Sequence, residues 1–302
     1  MRIIRFLEEN GLSRLAAITD ENLLYELPFE NILELRQEAQ QRKVSMVEII
    51  QQAIQDTLPK KEGLEQLKLL VPIEAQEVWA AGVTYLRSRE ERNYEATGGK
   101  HTEPTIYDKV YEAKRPEIFF KSTKERTRGT GESLCLRTDS SWQVPEPELA
   151  LVLDENGQIF GFTIGNDLSC RDIEGENPLY LPQAKIWKNS CSIGPAIRLA
   201  ETVEDFYSFQ ITCRIYRNQE KVFEETASTR DLRRTYEELC SYLVKDNIVF
   251  NGTVLLTGTS IVPPENYTLQ DGDLIEIEIP GIGTLVNPVK KQAVKLVENN
   301  LV

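Results

Sequence analysis

From Val78 onward the apolar positions come in short β-branched runs separated by turn residues. They are Val152-Leu153, Ile159-Phe160, Phe209-Gln210-Ile211, Val254-Leu255-Leu256 and Leu274-Ile275-Glu276-Ile277-Glu278-Ile279. Such runs predict strands. One helix, about 229–243, interrupts them, with Leu232, Tyr236, Leu239 and Tyr242 or Leu243 on its apolar face. Before residue 72 the pattern differs. Phe29 to Thr57 reads as mainly helical, with Ser45 and Glu48 as a capping box before Ile49-Ile50 and with Pro59 and Lys60-Lys61 closing it. The chain therefore divides into a small helical or mixed accessory domain, 1–72, and a strand-dominated domain, 73–302. The expected class is α+β.

Within the second domain, Pro145-Glu146-Pro147-Glu148 leads into Leu149-Ala150-Leu151-Val152-Leu153. A turn, Asp154-Glu155-Asn156-Gly157, follows, and then a second apolar run, Gln158 to Gly165. This predicts a β-hairpin over Asn156-Gly157. With Leu153 paired to Gln158, Glu146 lies opposite Gly165, and Asp167 is two residues further along on the same face. Three carboxylates then meet at one end of one hairpin, which calls for a cation between them. All-oxygen donors favour Mg²⁺, Mn²⁺ or Ca²⁺. The competing reading is a solvated acidic strand end, and a β-bulge would break the parity.

The net charge of −13 excludes a nucleic-acid or anionic-membrane surface, since no basic stripe offsets it. No apolar run approaches the roughly 20 residues that span a bilayer. The start, Met1-Arg2-Ile3-Ile4-Arg5-Phe6-Leu7, lacks the apolar core of a signal peptide. Cys135, Cys170, Cys191, Cys213 and Cys240 are widely spaced with no CxxC, which points to free thiols in a reducing cytoplasm. His101 is the only histidine, and its polar, Gly-containing surroundings predict a surface residue. The polar segment Arg87 to Pro116 reads as a surface loop or as a lid over bound substrate.

Several stretches carry a resemblance in order and approximate spacing. They are Gly165-Asn166-Asp167-Leu168-Ser169-Cys170-Arg171-Asp172, Leu181-Pro182-Gln183-Ala184-Lys185, Gly194-Pro195, Leu256-Thr257-Gly258-Thr259, Gln270-Asp271-Gly272-Asp273 and Gly281-Ile282-Gly283-Thr284-Leu285-Val286-Asn287-Pro288-Val289. Together they resemble the fumarylacetoacetate hydrolase family from about Val78 to Lys290. The resemblance implies a twisted, mostly antiparallel β-roll. It implies Glu146, Glu148 and Asp167 as divalent-metal ligands, Lys185 as the active-site lysine, Arg171 on the substrate side and Thr259 as a substrate-binding threonine. Arg171 is equally read as an ion-pair partner of Asp172.

Hydrolytic members carry Gly-x-Asn-Tyr-x-x-His-x-x-Glu, whose His–Glu pair activates water. Here the stretch is Gly82-Val83-Thr84-Tyr85-Leu86-Arg87-Ser88-Arg89-Glu90-Glu91, with Ser88 in the histidine's place and therefore read as a substrate contact. A serine hydroxyl is far too weak a base to replace imidazole. The chain is most similar to the branch that dehydrates 2-keto-3-deoxy sugar acids. The matching features are Arg115-Pro116-Glu117-Ile118-Phe119-Phe120-Lys121 and Arg171-Asp172-Ile173-Glu174-Gly175-Glu176-Asn177-Pro178-Leu179-Tyr180-Leu181-Pro182-Gln183. That implies a Mg²⁺-dependent hydro-lyase acting on a 2-oxo acid through a metal-stabilised enolate and releasing 2,5-dioxopentanoate. Lys185 is expected, with a lowered pKa, to move the proton, Glu117 is a second acid or base, and Glu174 contacts substrate hydroxyls. Hydrolysis or decarboxylation of an acylpyruvate-like acid is the alternative, and a member that keeps only the fold is a third. A homo-oligomer, dimer or tetramer, is expected.

Overall fold

The computed structural model describes residues 1–98, 100 and 104–292. The strands β1 (Arg2–Leu7), β2 (Ser13–Ile18) and β3 (Leu24–Leu27) form an antiparallel meander. Helices α1 (Ile32–Arg42) and α2 (Met46–Ile54) follow. The Asn31 side chain caps α1, and the expected Ser45/Glu48 box caps α2. Next come β4 (Lys68–Leu69), β5 (Glu77–Gly82), α3 (Leu86–Thr97), α4 (Ile106–Glu112), β6 (Glu117–Thr123), β7 (Thr127–Arg128), β8 (Leu134–Leu136) and β9 (Gln143–Val144). The central hairpin is β10 (Pro147–Leu153) and β11 (Ile159–Asp167). After it run β12 (Ser169–Cys170), α5 (Arg171–Glu176), α6 (Leu181–Lys185) and β13 (Cys191–Leu199). The chain ends with β14 (Gln210–Arg217), β15 (Glu220–Ser228), α7 (Tyr236–Leu243), β16 (Thr253–Leu256), β17 (Leu274–Ile279) and β18 (Gly283–Lys291).

One mixed sheet runs β3-β2-β1-β13-β11-β10-β16-β5-β6, and a second runs β15-β14-β17-β18-β8. Leu149, Leu151 and Leu153 of β10 face the second sheet and pack with Ile211, Ile215, Ile275 and Ile277. Ala150 and Val152 face the other way, into a core shared with Ile3, Leu15, Ile32, Leu35, Ile49 and Ile50. β10 is thus buried on both faces, which explains its unbroken apolar run. The sheet continues across the expected boundary near residue 72, because β1 pairs with β13 through Arg2–Arg198 and Ile3–Ile197.

Two local expectations need correction. The segment 87–116 is not a loop, since α3 and α4 occupy much of it. They are joined by an Asn93–Asp108 hydrogen bond of 2.8 Å and have buried Arg92 and Tyr107. The late helix begins only after Thr235, whose side chain accepts the Glu238 N–H. Upstream, the Arg233 N–H is taken by the Thr84 carbonyl at 2.8 Å, which holds the chain out of helical geometry. His101 lies outside the described residues.

Candidate active site

The site lies at the meeting point of the β10–β11 hairpin, the end of β5, α3, α5, α6 and the loop after β16. The hairpin closes one residue later than predicted, with Leu153 opposite Ile159. A bulge between Val152 and Leu153 then pairs Val152 with Gly161 and leaves Phe160 unmatched. Both shifts have the same sense, so the register moves by two. Glu148, not Glu146, lies opposite Gly165, and the Asp167 N–H donates to the Glu146 carbonyl at 3.0 Å. A shift of two preserves the face. The three carboxylates therefore still converge, with one oxygen of each within 4.8 Å of the others.

All three are buried, Glu148 and Asp167 to 1 % exposure. Glu146 accepts from Lys185 Nζ at 2.6 Å and from Arg171 Nη2 at 3.2 Å. Lys121 Nζ lies 2.5 Å from Asp167 Oδ1. Glu148 takes the Gly258 N–H but, among the described residues, no cation pairs with it. Burial pushes its carboxyl well above the usual range, and the charges of Asp167 and Glu146 add to the rise. Burial also raises Glu146, outweighing Lys185. Among the described residues, five carboxylates, with Glu117 and Glu174, face four cations, Arg92, Lys121, Arg171 and Lys185. The excess negative charge and the unpaired Glu148 fit a hard divalent cation on Glu146, Glu148 and Asp167. The space between these groups is ≈ 20 Å³, room for about one ion or water.

Lys185, at the end of α6, is fully buried and also donates to Ser169 Oγ at 2.6 Å. Burial alone would depress its pKa, but Asp167, Glu146 and Glu174 together outweigh burial and raise it. The expected lowering invokes a bound Mg²⁺ besides Arg171 and burial; the protein's own charges by themselves act in the opposite sense. Arg171 starts α5 and pairs with Glu146, while Asp172 accepts from Ser140 Oγ and the Ser141 N–H instead. Burial brings the Arg171 pKa down to about 10. Glu174, one turn further along α5, lies 2.6 Å from Arg92 Nη1 and 3.7 Å from Lys185 Nζ. Burial opposes its ionisation, but Arg92, Lys185 and Arg171 prevail and hold its pKa low.

Glu117 pairs with Gly82 across β5–β6, and its carboxyl occupies the space a Cβ at Gly82 would fill. Among the described residues no hydrogen bond reaches its Oε2, and burial raises its pKa despite the opposing charge of Arg92. Ser88 and Thr259 line the cavity. The Ser88 hydroxyl accepts the Tyr85 N–H and donates to the Tyr85 carbonyl, so the start of α3 already employs it. Thr259 Oγ1 accepts the Ile261 N–H at 3.1 Å.

Two buried cations received no role from the sequence. Arg92 sits four residues after Ser88, hence on the same face of α3. Lys121 stands in Ile118-Phe119-Phe120-Lys121, where a charge in an apolar strand was the available signal.

Residues 78–290 match the model of the fumarylacetoacetate (FAA) hydrolase C-terminal domain. The chain belongs to the fumarylacetoacetate hydrolase family. Among its relatives in the family is the 2-dehydro-3-deoxy-D-arabinonate dehydratase of Saccharolobus solfataricus. It is 47 % identical over 236 residues, covering 78 % of this chain and 79 % of that protein. The probable 2-keto-3-deoxyxylonate dehydratase of Haloferax volcanii is 48 % identical over 219 residues, 72 % of this chain and 74 % of its own. A solved structure of 2-keto-3-deoxy-D-arabinonate dehydratase complexed with magnesium and 2,5-dioxopentanoate superposes with a TM-score of 0.80 at 40 % identity. It covers 97 % of this chain and 99 % of that one. The family fold is the expected strand-dominated mixed β-roll, seen here as the two packed sheets. Among the described residues no helix is long and apolar enough to cross a membrane.

Proposed function

We propose that this chain is a Mg²⁺-dependent hydro-lyase. Its substrate would be a 2-keto-3-deoxy pentonate resembling 2-dehydro-3-deoxy-D-arabinonate, and its product 2,5-dioxopentanoate. The observation that carries this reading is the placement of two buried proton-transfer groups, Lys185 and Glu117, around the buried carboxylate triad. Elimination of water needs one acid and one base but no residue that activates a water. The two dehydratase relatives, at 47 % and 48 % identity, support it.

A bound dication on Glu146, Glu148 and Asp167 would supply Lewis acidity at the ketone and carboxylate oxygens of a 2-oxo acid. The rest falls to this chain's own side chains. Arg171 and Arg92 bring positive charge to the cavity, suited to an anionic substrate. Glu174 is held ionised by Arg92 and Lys185, so it acts as an acceptor for a substrate hydroxyl. Ser88 and Thr259, which line the cavity, contribute further polar contacts. Glu117, in its deprotonated fraction, takes the proton from C3. Lys185, charged, gives its proton to the oxygen leaving C4, and one water departs to leave a 5-hydroxy-2-oxo-3-enoate. Loss of a C5 proton, protonation at C3 and tautomerisation of the resulting C5 enol by protonation at C4 then give the isomeric 2,5-dioxo acid. A proton passed from Glu117 back to Lys185 restores both. The reading carries with it a homo-oligomer in a reducing cytoplasm, the latter supported by five free cysteines, four of them buried.

The test is a panel of 2-keto-3-deoxypentonates and acylpyruvates incubated with purified protein and Mg²⁺, the products weighed by mass spectrometry. Loss of one water from a pentonate is expected. Efficient acylpyruvate cleavage with no pentonate turnover would overturn the assignment.

A further inference from the structure

We propose that Lys121 is a positioning residue of this site. One ammonium fixes both the candidate metal ligand Asp167 and the peptide that carries Lys185. The inference rests on the hydro-lyase reading for its kinetic readout and on the carboxylate triad for its binding readout.

Lys121 lies within β6 and is 0 % exposed. A buried lysine is costly unless every donor is used. Here three oxygens surround Nζ, two backbone carbonyls that accept its hydrogen bonds and one carboxylate oxygen in an ion pair. They are Asp167 Oδ1 at 2.5 Å, the Leu168 carbonyl at 2.8 Å and the Lys185 carbonyl at 2.5 Å. The Trp187 ring stands 5.2 Å from the same nitrogen. Among the described residues no hydrogen bond reaches Asp167 Oδ1, and its close polar contact is the ion pair with Lys121. Lys121 therefore decides how that carboxylate is turned, with Oδ1 held back and Oδ2 left toward Lys185 at 3.7 Å. The same contact anchors the last carbonyl of α6, from which the Lys185 side chain springs. Two buried lysines thus divide the work. Lys185 lines the cavity, whereas the Lys121 ammonium is taken up by Asp167 and two backbone carbonyls and acts through the groups it holds.

Coulomb's law alone and positioning make opposite predictions. If Lys121 were merely a positive charge beside Asp167, its removal would tighten dication binding. If it orients the ligand, its removal weakens binding. Mg²⁺ is titrated calorimetrically into metal-free wild type, Lys121→Met and Lys121→Arg, with folding checked by thermal melts. Lys121→Met is expected to weaken Mg²⁺ binding by about 10- to 100-fold, the usual cost of losing a group that orients a metal ligand. Lys121→Arg does not rescue, because a planar guanidinium cannot serve three convergent acceptors. At saturating Mg²⁺, kcat falls at least about tenfold on the same grounds while KM barely moves. Mg²⁺ binding as tight as wild type or tighter in Lys121→Met, with kcat unchanged, overturns the proposal alone. Absence of Mg²⁺ binding by wild type overturns the metal reading along with it. Should Lys121→Met not fold, ammonium ¹H–¹⁵N NMR on the wild type decides. Hindered, slowly exchanging Nζ protons of Lys121 are expected, and a freely rotating, fast-exchanging group overturns the proposal.

Discussion

Lys185→Met separates the chemistry of the lysine from its structural weight. Methionine keeps the approximate length of the side chain and removes the ammonium, so little cavity is left. The two hydrogen bonds lost are those to Glu146 Oε2 and Ser169 Oγ, both 2.6 Å. Each neighbouring acid keeps another cation: Glu146 keeps Arg171, Asp167 keeps Lys121 and Glu174 keeps Arg92. The variant therefore avoids the full 3–5 kcal/mol that roughly attends a lone buried charge. The two lost bonds are worth about 1.5–3 kcal/mol each, and part of that is returned because no ammonium has to be desolvated in the variant. At roughly 2–4 °C per kcal/mol for a large domain, the melting temperature falls by several degrees and the fold survives. Turnover falls by about 10² to 10⁴, the range for losing a general acid or base, while Mg²⁺ binding changes much less, because Arg171 still holds Glu146. Steady-state kinetics at saturating Mg²⁺, alongside a melt, measures both. A folded variant with normal kcat would show Lys185 to be structural and would leave Glu117 as the leading proton-transfer group.

Glu148→Gln should abolish activity and weaken Mg²⁺ binding by calorimetry. The melting temperature should hold or rise, because the change removes a buried charge with no ion-pair partner among the described residues. Mg²⁺ affinity should also depend on pH. Burial raises the Glu146 and Glu148 carboxyls, so protons compete with the dication above the usual 4.5. Affinity therefore falls as pH falls through that window, by up to about tenfold per pH unit for each proton released, as isothermal titrations at several pH values would show. Metal-free protein moves the opposite way. Its folded state binds more protons than the unfolded chain there, so its melting temperature rises as pH drops toward 4.5.

The parts of the site that were legible in the sequence depend on spacing along one chain segment. Glu146 and Glu148 share a face by strand parity, and Ser45 with Glu48 closes α2 as a reciprocal cap. Other parts depend on contacts between distant segments, which no local pattern encodes. Arg92 is one of many charges in a polar stretch until Glu174, 82 positions away, receives it at 2.6 Å. The same pairing explains why residues 87–116 read as a loop: α3 is polar along its length because its inward face meets carboxylates instead of a hydrocarbon core. The balance at Lys185 was illegible for a related reason. Burial and the number of acids facing the ammonium act in opposite senses, and only the assembled site shows which prevails.

The hairpin that carries the acidic triad also constrains how its length can change. Its closing turn and the unmatched Phe160 each displace one strand by a single residue, and only their sum returns Asp167 to the side of Glu146 and Glu148. An insertion or deletion of one residue anywhere between Glu148 and Gly165 would rotate one strand's carboxylates to the opposite side of the sheet. A paired change would restore them. Length variation in this segment should therefore come in even steps, however different the side chains become.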